Sequence, residues 1–236
     1  MSRSRIPKSA EAAKAGPRRV AKREPESVLP AQLERYLQQL APPRAQLVRE
    51  MERLGDQLGF PYIGPLVGKL LAQLVMLSGA RTAFELGSGF GYSAVWIARA
   101  LPPDGRIYLT DRSPENLERA RGFLERSGDH DKAVYLQGDA LELFEQHATE
   151  SLDFVLCDLD KERYPQAYDA ALAKLKVGGL LVTDNVLWKG RVALRAIKDE
   201  TTAAIREFNR KSQVDPDAIT TILPLRDGVA VTLKLR

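Results

Sequence analysis

One cysteine and two histidines are all the chain contains, and both scarcities exclude chemistry. With Cys157 alone, neither an internal disulfide nor a cysteine-rich zinc site can form. Cys157 follows the apolar run Phe154-Val155-Leu156, which predicts a buried, inert thiol. His130 and His147 are too few for a histidine-based metal centre, so a metal here would be held by oxygen, as hard ions such as Mg²⁺ or Ca²⁺ are. Long apolar runs are also missing. Nothing approaches the roughly 18 consecutive apolar residues of a membrane span, and no apolar leader core is present. A cytoplasmic protein with no membrane contact is expected.

What is present is ordinary in amount but unevenly placed. At 236 residues, 44% hydrophobic and 28% charged, the chain suits one sizeable core. Its net charge is +4, yet residues 1–27 hold eight basic and three acidic side chains, leaving −1 for residues 28–236. That first stretch is poor in large apolar residues and rich in Ala, Pro, Ser and charge. It is expected to be a disordered basic tail ahead of a single domain at 28–236. A transit peptide and a weak nucleic-acid-binding arm are also compatible with it.

Leu33, Tyr36, Leu37 and Leu40 follow a helical period until Pro42-Pro43 breaks it, and Leu47, Met51, Leu54 and Leu58 resume it up to Gly59. A third apolar helix covers about 65–77. Beyond it, short apolar strands at 82–86, 106–110, 133–137, 152–157 and 179–183 alternate with amphipathic segments near 92–100, 114–126, 140–147 and 163–175. This alternation predicts an α/β fold, a parallel sheet with helices on both faces. After a helix at 200–211, strands at 219–223 and 229–235 flank Arg226-Asp227-Gly228, a hairpin signal.

The first strand runs into Gly87-Ser88-Gly89-Phe90-Gly91, glycines that permit a tight turn and close approach of a ligand to the backbone. The pattern lacks both the P-loop lysine and the full dinucleotide fingerprint. Asp111 ends the next strand, where a carboxylate can take both ribose hydroxyls of an adenosine, and Asp139-Ala140 follows the third, where the adenine would lie. Acidic strand ends around a glycine loop suit a cationic cofactor without phosphates, S-adenosylmethionine. An ordinary structural turn with capping carboxylates is the alternative.

Two further strand ends carry Asp158-Leu159-Asp160-Lys161 and Asp184-Asn185. Adjacent strands lie about 4.8 Å apart, so Asp158, Asp184 and Asn185 can converge as oxygen ligands for Mg²⁺. Solvated loop acids are the plainer reading of either strand end alone. Lys161 stands one turn from Asp158, where a desolvated lysine beside a cation can have its pKa lowered enough to act as a base; otherwise it is a surface lysine paired with Asp160 or Glu162. Trp188 is expected as an aromatic wall for a flat substrate, or as a core residue.

The segments Phe84-Glu-Leu-Gly-Ser-Gly-Phe-Gly-Tyr-Ser93, Asp158-Leu-Asp-Lys-Glu-Arg-Tyr164 and Gly178-Gly-Leu-Leu-Val-Thr-Asp-Asn-Val-Leu-Trp188 resemble the catechol / caffeoyl-CoA O-methyltransferase family, from about residue 31 onward. The resemblance implies a class I S-adenosylmethionine-dependent, metal-dependent enzyme. Its fold would be a Rossmann-like seven-stranded sheet, mostly parallel with an antiparallel last strand, assembled as a homodimer. It assigns the cofactor to Glu85, Gly87, Ser88, Gly89, Gly91 and Ser93, with Asp111 and Arg112 at the ribose. Asp139 and Ala140 then fall beside the adenine, and Asp158 and Asp160 near the amino-acid end. Asp158, Asp184 and Asn185 match the metal ligands and Lys161 the base, with Asn185 and Trp188 beside the acceptor.

The expected reaction is methylation of one of two vicinal oxygens on a catechol-like or caffeoyl-like molecule. The segment Phe60-Pro-Tyr-Ile-Gly-Pro-Leu-Val-Gly68 lacks the family's usual Glu-Gly or Gln-Gly pair, and the stretch 190–201 is shorter than its substrate loop. A tRNA methyltransferase on the same fold and a non-catalytic cofactor-binding module are the rival readings.

Overall fold

Strands that are apolar on both sides cannot face water on either, so helices must cover both faces of the sheet they build. The computed structural model describes residues 28–40 and 45–236; the basic tail and the Pro42-Pro43 break expected from the sequence lie outside the described residues. Helices α1 (Ala31–Leu40), α2 (Gln46–Leu58) and α3 (Gly64–Ser78) lead into β1 (Thr82–Leu86). There follow α4 (Tyr92–Ala100), β2 (Arg106–Asp111), α5 (Pro114–Ser127), β3 (Ala133–Gln137), α6 (Ala140–Glu145) and β4 (Leu152–Cys157). The chain continues with α7 (Tyr164–Lys174), β5 (Leu175–Thr183), α8 (Glu200–Val214), β6 (Ala218–Leu223) and β7 (Val229–Lys234).

All seven strands join one sheet in the order β3-β2-β1-β4-β5-β7-β6. β1 to β5 pair in parallel, and β7 runs antiparallel to both β5 and β6. The parallel α/β sheet expected from the alternation is observed, with the seven strands and antiparallel last strand that the family resemblance implies.

Side chains alternate across the strands as a period of two requires. Ala83 and Leu109 enter a core with Met51, Val67, Leu71, Ile97 and Leu124. Phe84 and Val155 enter a second one with Phe144, Tyr164, Tyr168 and Phe208. Each such fully buried large side chain contributes roughly 1.5–3 kcal/mol.

Some boundaries differ from the sequence reading, each for a local reason. α6 stops at Glu145 rather than at 147. There Lys174 Nζ, buried at the end of α7, donates to the carbonyls of Glu145 at 3.0 Å and His147 at 2.6 Å. β5 begins at Leu175, not at 179, and runs through Gly178-Gly179 with a register shift against β4 between Leu152 and Phe154. The apolar stripe of α1 is not buried against the sheet: Leu33, Tyr36 and Leu40 are exposed. Among the described residues no helix is long and apolar enough to cross a membrane.

Candidate active site

The chain walks from β1 outward to β3, then returns to place β4 on the other side of β1. Ligands bind at the carboxyl edge of such a switch point. Register makes that edge level, because Leu86 pairs with Cys157 and Cys157 with Thr183. The ladder runs on past the strands, Asp158 N donating to Leu86 O at 3.0 Å and Asp184 N to Cys157 O at 3.2 Å. Gly87, Asp158 and Asp184 therefore leave three neighbouring strands at one height. They line a cleft of about 580 Å³ with Asn185, Lys161 and Trp188.

The glycine loop is locked to both sides of the cleft. A Cβ on Gly87 (φ +89) would meet the Asp158 carbonyl oxygen at 2.7 Å, and one on Gly89 (φ +51) the Phe60 ring at 2.7 Å. Only glycine permits both the positive φ and the contact. Thr110 stitches the loop to β2: its hydroxyl donates to Glu85 O at 2.6 Å and accepts from Gly87 N at 3.2 Å, while its N–H reaches Ser88 Oγ at 3.0 Å. Ser88 and Ser93 line the cleft. Gly91 instead packs against Ala120 of α5.

Glu85 sits behind the loop, fully buried, and both carboxylate oxygens lack a hydrogen-bond partner. Burial pushes its carboxyl up to about 7, and the Asp158 charge adds to the rise. The nearby Ser93 hydroxyl, and then that of Ser88, oppose the rise.

At the other end Asp111 accepts from Ser113 N at 2.8 Å and Asn116 Nδ2 at 3.2 Å, and lines the cleft beside Arg112 and Ala140. Asp139 is saturated. Its Oδ1 caps α6 through Leu141 N at 3.1 Å and Glu142 N at 3.2 Å. Its Oδ2 takes Arg112 Nη2 at 2.6 Å and Arg163 Nη1 at 2.5 Å. The Arg163 bond, ahead of the Arg112 bond and the cap, holds its carboxyl far below the usual carboxylate range. Asp160 is exposed, 3.9 Å from Arg112.

Lys161 pairs with neither Asp160 nor Glu162. Its Nζ donates to Asp158 Oδ1 at 2.7 Å, lies over the Tyr164 ring and is largely shielded from water. Burial pulls the ammonium toward the neutral form, but Asp158 and Tyr164 outweigh it and hold Lys161 well above its ordinary value. In the chain alone, then, Lys161 is an ammonium paired with Asp158; the lowering expected from the sequence is for a lysine beside a cation.

Asp184 is buried with its Oδ1 unpartnered. Burial and then the Asp158 charge raise its carboxyl to about 7, with Arg226 and Lys161 opposing. Asn185 follows in a left-handed conformation (φ 59) that asparagine tolerates better than most residues. Two carboxylates, one with an orphaned buried oxygen, and an amide suit a hard divalent cation. Among the described residues no three His, Cys, Asp or Glu side chains gather as a metal cluster, so this set depends on the amide. Cys157, just behind, is pushed up to about 12 by burial and is the inert thiol expected.

The wall opposite the strand tips comes from Phe60, Pro61, Tyr62 and Ile63, and Trp188 both lines the cleft and packs on the second core. Sequence reading missed Thr110, Arg163 and Arg226 as cleft residues. For Arg226 it saw only a hairpin turn. No local signal marks them, since each reaches the cleft through a contact far along the chain.

A family model described as O-methyltransferase matches residues 44–235. Tricin synthase 1 of Oryza sativa subsp. japonica is 30% identical over 210 residues, which cover 82% of this chain and 83% of that protein. Caffeoyl-CoA O-methyltransferase of Eucalyptus gunnii is 31% identical over 179 residues, covering 72% of each.

Among solved structures, the O-methyltransferase TomG of Streptomyces achromogenes, in complex with SAM, superposes with a TM-score of 0.79 at 26% identity, covering 87% of this chain and 96% of that one. The Bacillus cereus O-methyltransferase in complex with SAH gives 0.78 at 27% identity, covering 86% and 97%. With the switch-point cleft and its glycine loop, these matches establish that the chain belongs to the O-methyltransferase family and is a class I S-adenosylmethionine-dependent O-methyltransferase.

Proposed function

We propose that this enzyme methylates one of two vicinal oxygens on a small, flat acceptor of catechol or caffeoyl type, with a divalent cation, Mg²⁺ in the first instance, held by Asp158, Asp184 and Asn185. The observation that carries the reading is Asp184, a buried carboxylate beside a second carboxylate, with one oxygen unpartnered and its carboxyl raised to about 7. Converging carboxylates without a partner repel, and a cation relieves both the repulsion and the cost of burial. A caffeoyl-CoA O-methyltransferase and a tricin synthase among the relatives support a flat phenolic acceptor.

S-adenosylmethionine supplies a methyl group already activated on sulfonium, and a divalent cation supplies chelation of vicinal oxygens and a lowered pKa at one of them. The chain's own residues do the rest. Gly87, Ser88 and Gly89 leave room for the cofactor against Asp158, and Asp111 receives its ribose hydroxyls. Phe60, Tyr62 and Trp188 sandwich the acceptor ring and exclude water.

Lys161 Nζ would take the proton of the acceptor hydroxyl once it has released its own, which requires the Asp158 charge that keeps it an ammonium to be taken up by a cation held there. Burial already favours its neutral form and Asp158 is the main restraint, so its proton affinity depends on how much of the Asp158 charge it faces. Positioning and electrostatic activation of the oxygen account for the acceleration. Radiolabelled methyl transfer to catechol, with Mg²⁺ and in a chelator, tests the reading. Turnover is expected only with metal, and full turnover in the chelator overturns it.

A further inference from the structure

Arg226 is the residue of the β6–β7 connection that its own backbone favours least. It sits at φ 51, where a glycine would hold the turn without strain. The conformation is fixed from all sides: its carbonyl accepts from Val28 N at 2.7 Å, Gly228 N closes on Leu225 O at 2.9 Å, and Asp227 O accepts from Leu187 N at 2.9 Å. A long side chain kept in a disfavoured conformation points to work done by that side chain.

The guanidinium extends to the wall of the cleft shared with Asp184, Asn185, Trp188 and Tyr62. Nη1 donates to Tyr62 O at 2.7 Å. Room for it is left by Gly64, where a Cβ would stand 3.1 Å from Nη1 and 3.3 Å from Cζ. Among the described residues no carboxylate is in a salt bridge with it: its charge is felt by the Asp184 carboxyl across the cleft, but its hydrogen bond goes to a neutral carbonyl. A guanidinium carries five N–H donors in a planar fork, and the Tyr62 carbonyl engages one of its two terminal nitrogens. Such a fork beside aromatic walls matches a carboxylate, which it can grip bidentately.

We propose that Arg226 makes this enzyme select an acceptor bearing a carboxylate, a hydroxylated aromatic acid, over neutral diols and esters. The inference rests on the vicinal-oxygen reading of the same cleft and adds to it the charge of the acceptor. The competing role for Arg226 is to tie the 60–64 segment to the β6–β7 connection, which would affect every acceptor alike.

The test compares protocatechuate with its methyl ester, a near-isostere without the charge, in the full-length enzyme with S-adenosylmethionine and Mg²⁺. In wild type the acid is preferred. In Arg226→Gln the acid-to-ester ratio of kcat/KM falls by about 10- to 100-fold, mostly through KM, the loss expected for a hydrogen bond to a charged group. Arg226→Gly relieves the backbone and removes the charge together, so it folds and gives the same fall; Arg226→Lys restores part of the preference.

A ratio unchanged within about twofold in both variants overturns the proposal, as does equal loss for acid and ester. Calorimetric binding of the two probes to the protein with SAH separates the layers. If wild type binds the acid more tightly, Arg226→Gln loses the difference and neither probe is methylated, the selection by Arg226 stands and the vicinal-oxygen reading falls. If both are methylated with no preference for the acid, that reading stands and the selection falls.

Discussion

Asp139 and Asp184 each follow the tip of a strand of the same sheet and line the same cleft, yet their surroundings are opposite. Asp139 accepts two backbone N–H bonds and two arginine bonds, and its carboxyl is held far below the ordinary range. Asp184 is buried with an oxygen that accepts nothing, and its carboxyl rises to about 7. The first acid is complete within the chain: it ends a loop, starts α6 and anchors Arg112 and Arg163. The second is costly in the chain alone, with Arg226 and Lys161 offsetting only part of its burial and of the Asp158 charge. Glu85 is of the second kind, buried behind the glycine loop with both oxygens unpartnered. Acids that the fold satisfies build the site, and the acids it leaves unsatisfied are the ones to which the proposed function assigns cationic ligands.

The sharpest way to break this contrast is to neutralise the unsatisfied acid. Asp184→Asn should lower Mg²⁺-dependent kcat/KM by a factor on the order of 10² to 10³, the usual loss when one electrostatic stabiliser is removed. S-adenosylmethionine affinity, measured by calorimetry, should change far less. Wild-type turnover in that variant would mean that Asp184 is as self-contained as Asp139.

Next in size is Glu85→Gln. The unfolded chain releases this proton near the ordinary 4.5, and the folded chain near 7. Between those values the folded form binds more protons, so stability falls as pH rises, and the full cost is present above 7. The variant should therefore stabilise the cofactor-free protein at about pH 8 by up to on the order of 3 kcal/mol, and should flatten the slope between 4.5 and 7. Denaturant unfolding across that range checks it. A destabilised variant at high pH would mean that the Glu85 carboxylate has a partner after all.

What the sequence makes legible follows from the range of the interactions. The strands, the glycine loop and the two polar strand ends are written within short windows, and the level edge follows from parallel pairing, so Asp158 and Asp184 are brought together as expected. What was illegible depends on contacts between distant segments. That Asp139 is saturated needs Arg163 from beyond β4, and that Lys161 is shared with Asp158 rather than Glu162 depends on the turn before α7. The cleft wall at Phe60–Ile63 and the reach of Arg226 to Tyr62 join residues far apart in the chain. Glu85 reads as a cofactor contact beside its glycines, but nothing in its neighbours reveals that it is buried behind them. The start of β5 is missed because Gly178-Gly179 reads as a break where the structure absorbs it as a register shift.

The smallest effect expected is at Asp139, and its value lies in its pH window. Asp139→Asn keeps a side-chain oxygen for the α6 cap but loses the charge that Arg112 and Arg163 share. Arg112 is mostly exposed and Arg163 partly so, and solvent screens both bonds. The cost should therefore be only about 0.5–1 kcal/mol near neutral pH. Because the folded carboxyl lies below its unfolded value, that contribution is present above about pH 4 and disappears as pH falls through the folded value. Wild type and Asp139→Asn should thus converge in acid and run parallel from 5 to 8. Wild type and Glu85→Gln should instead diverge from about 4.5 to 7 and run parallel only above that. If both variants showed the same slope between 5 and 7, the division of these acids into satisfied and unsatisfied kinds would not hold.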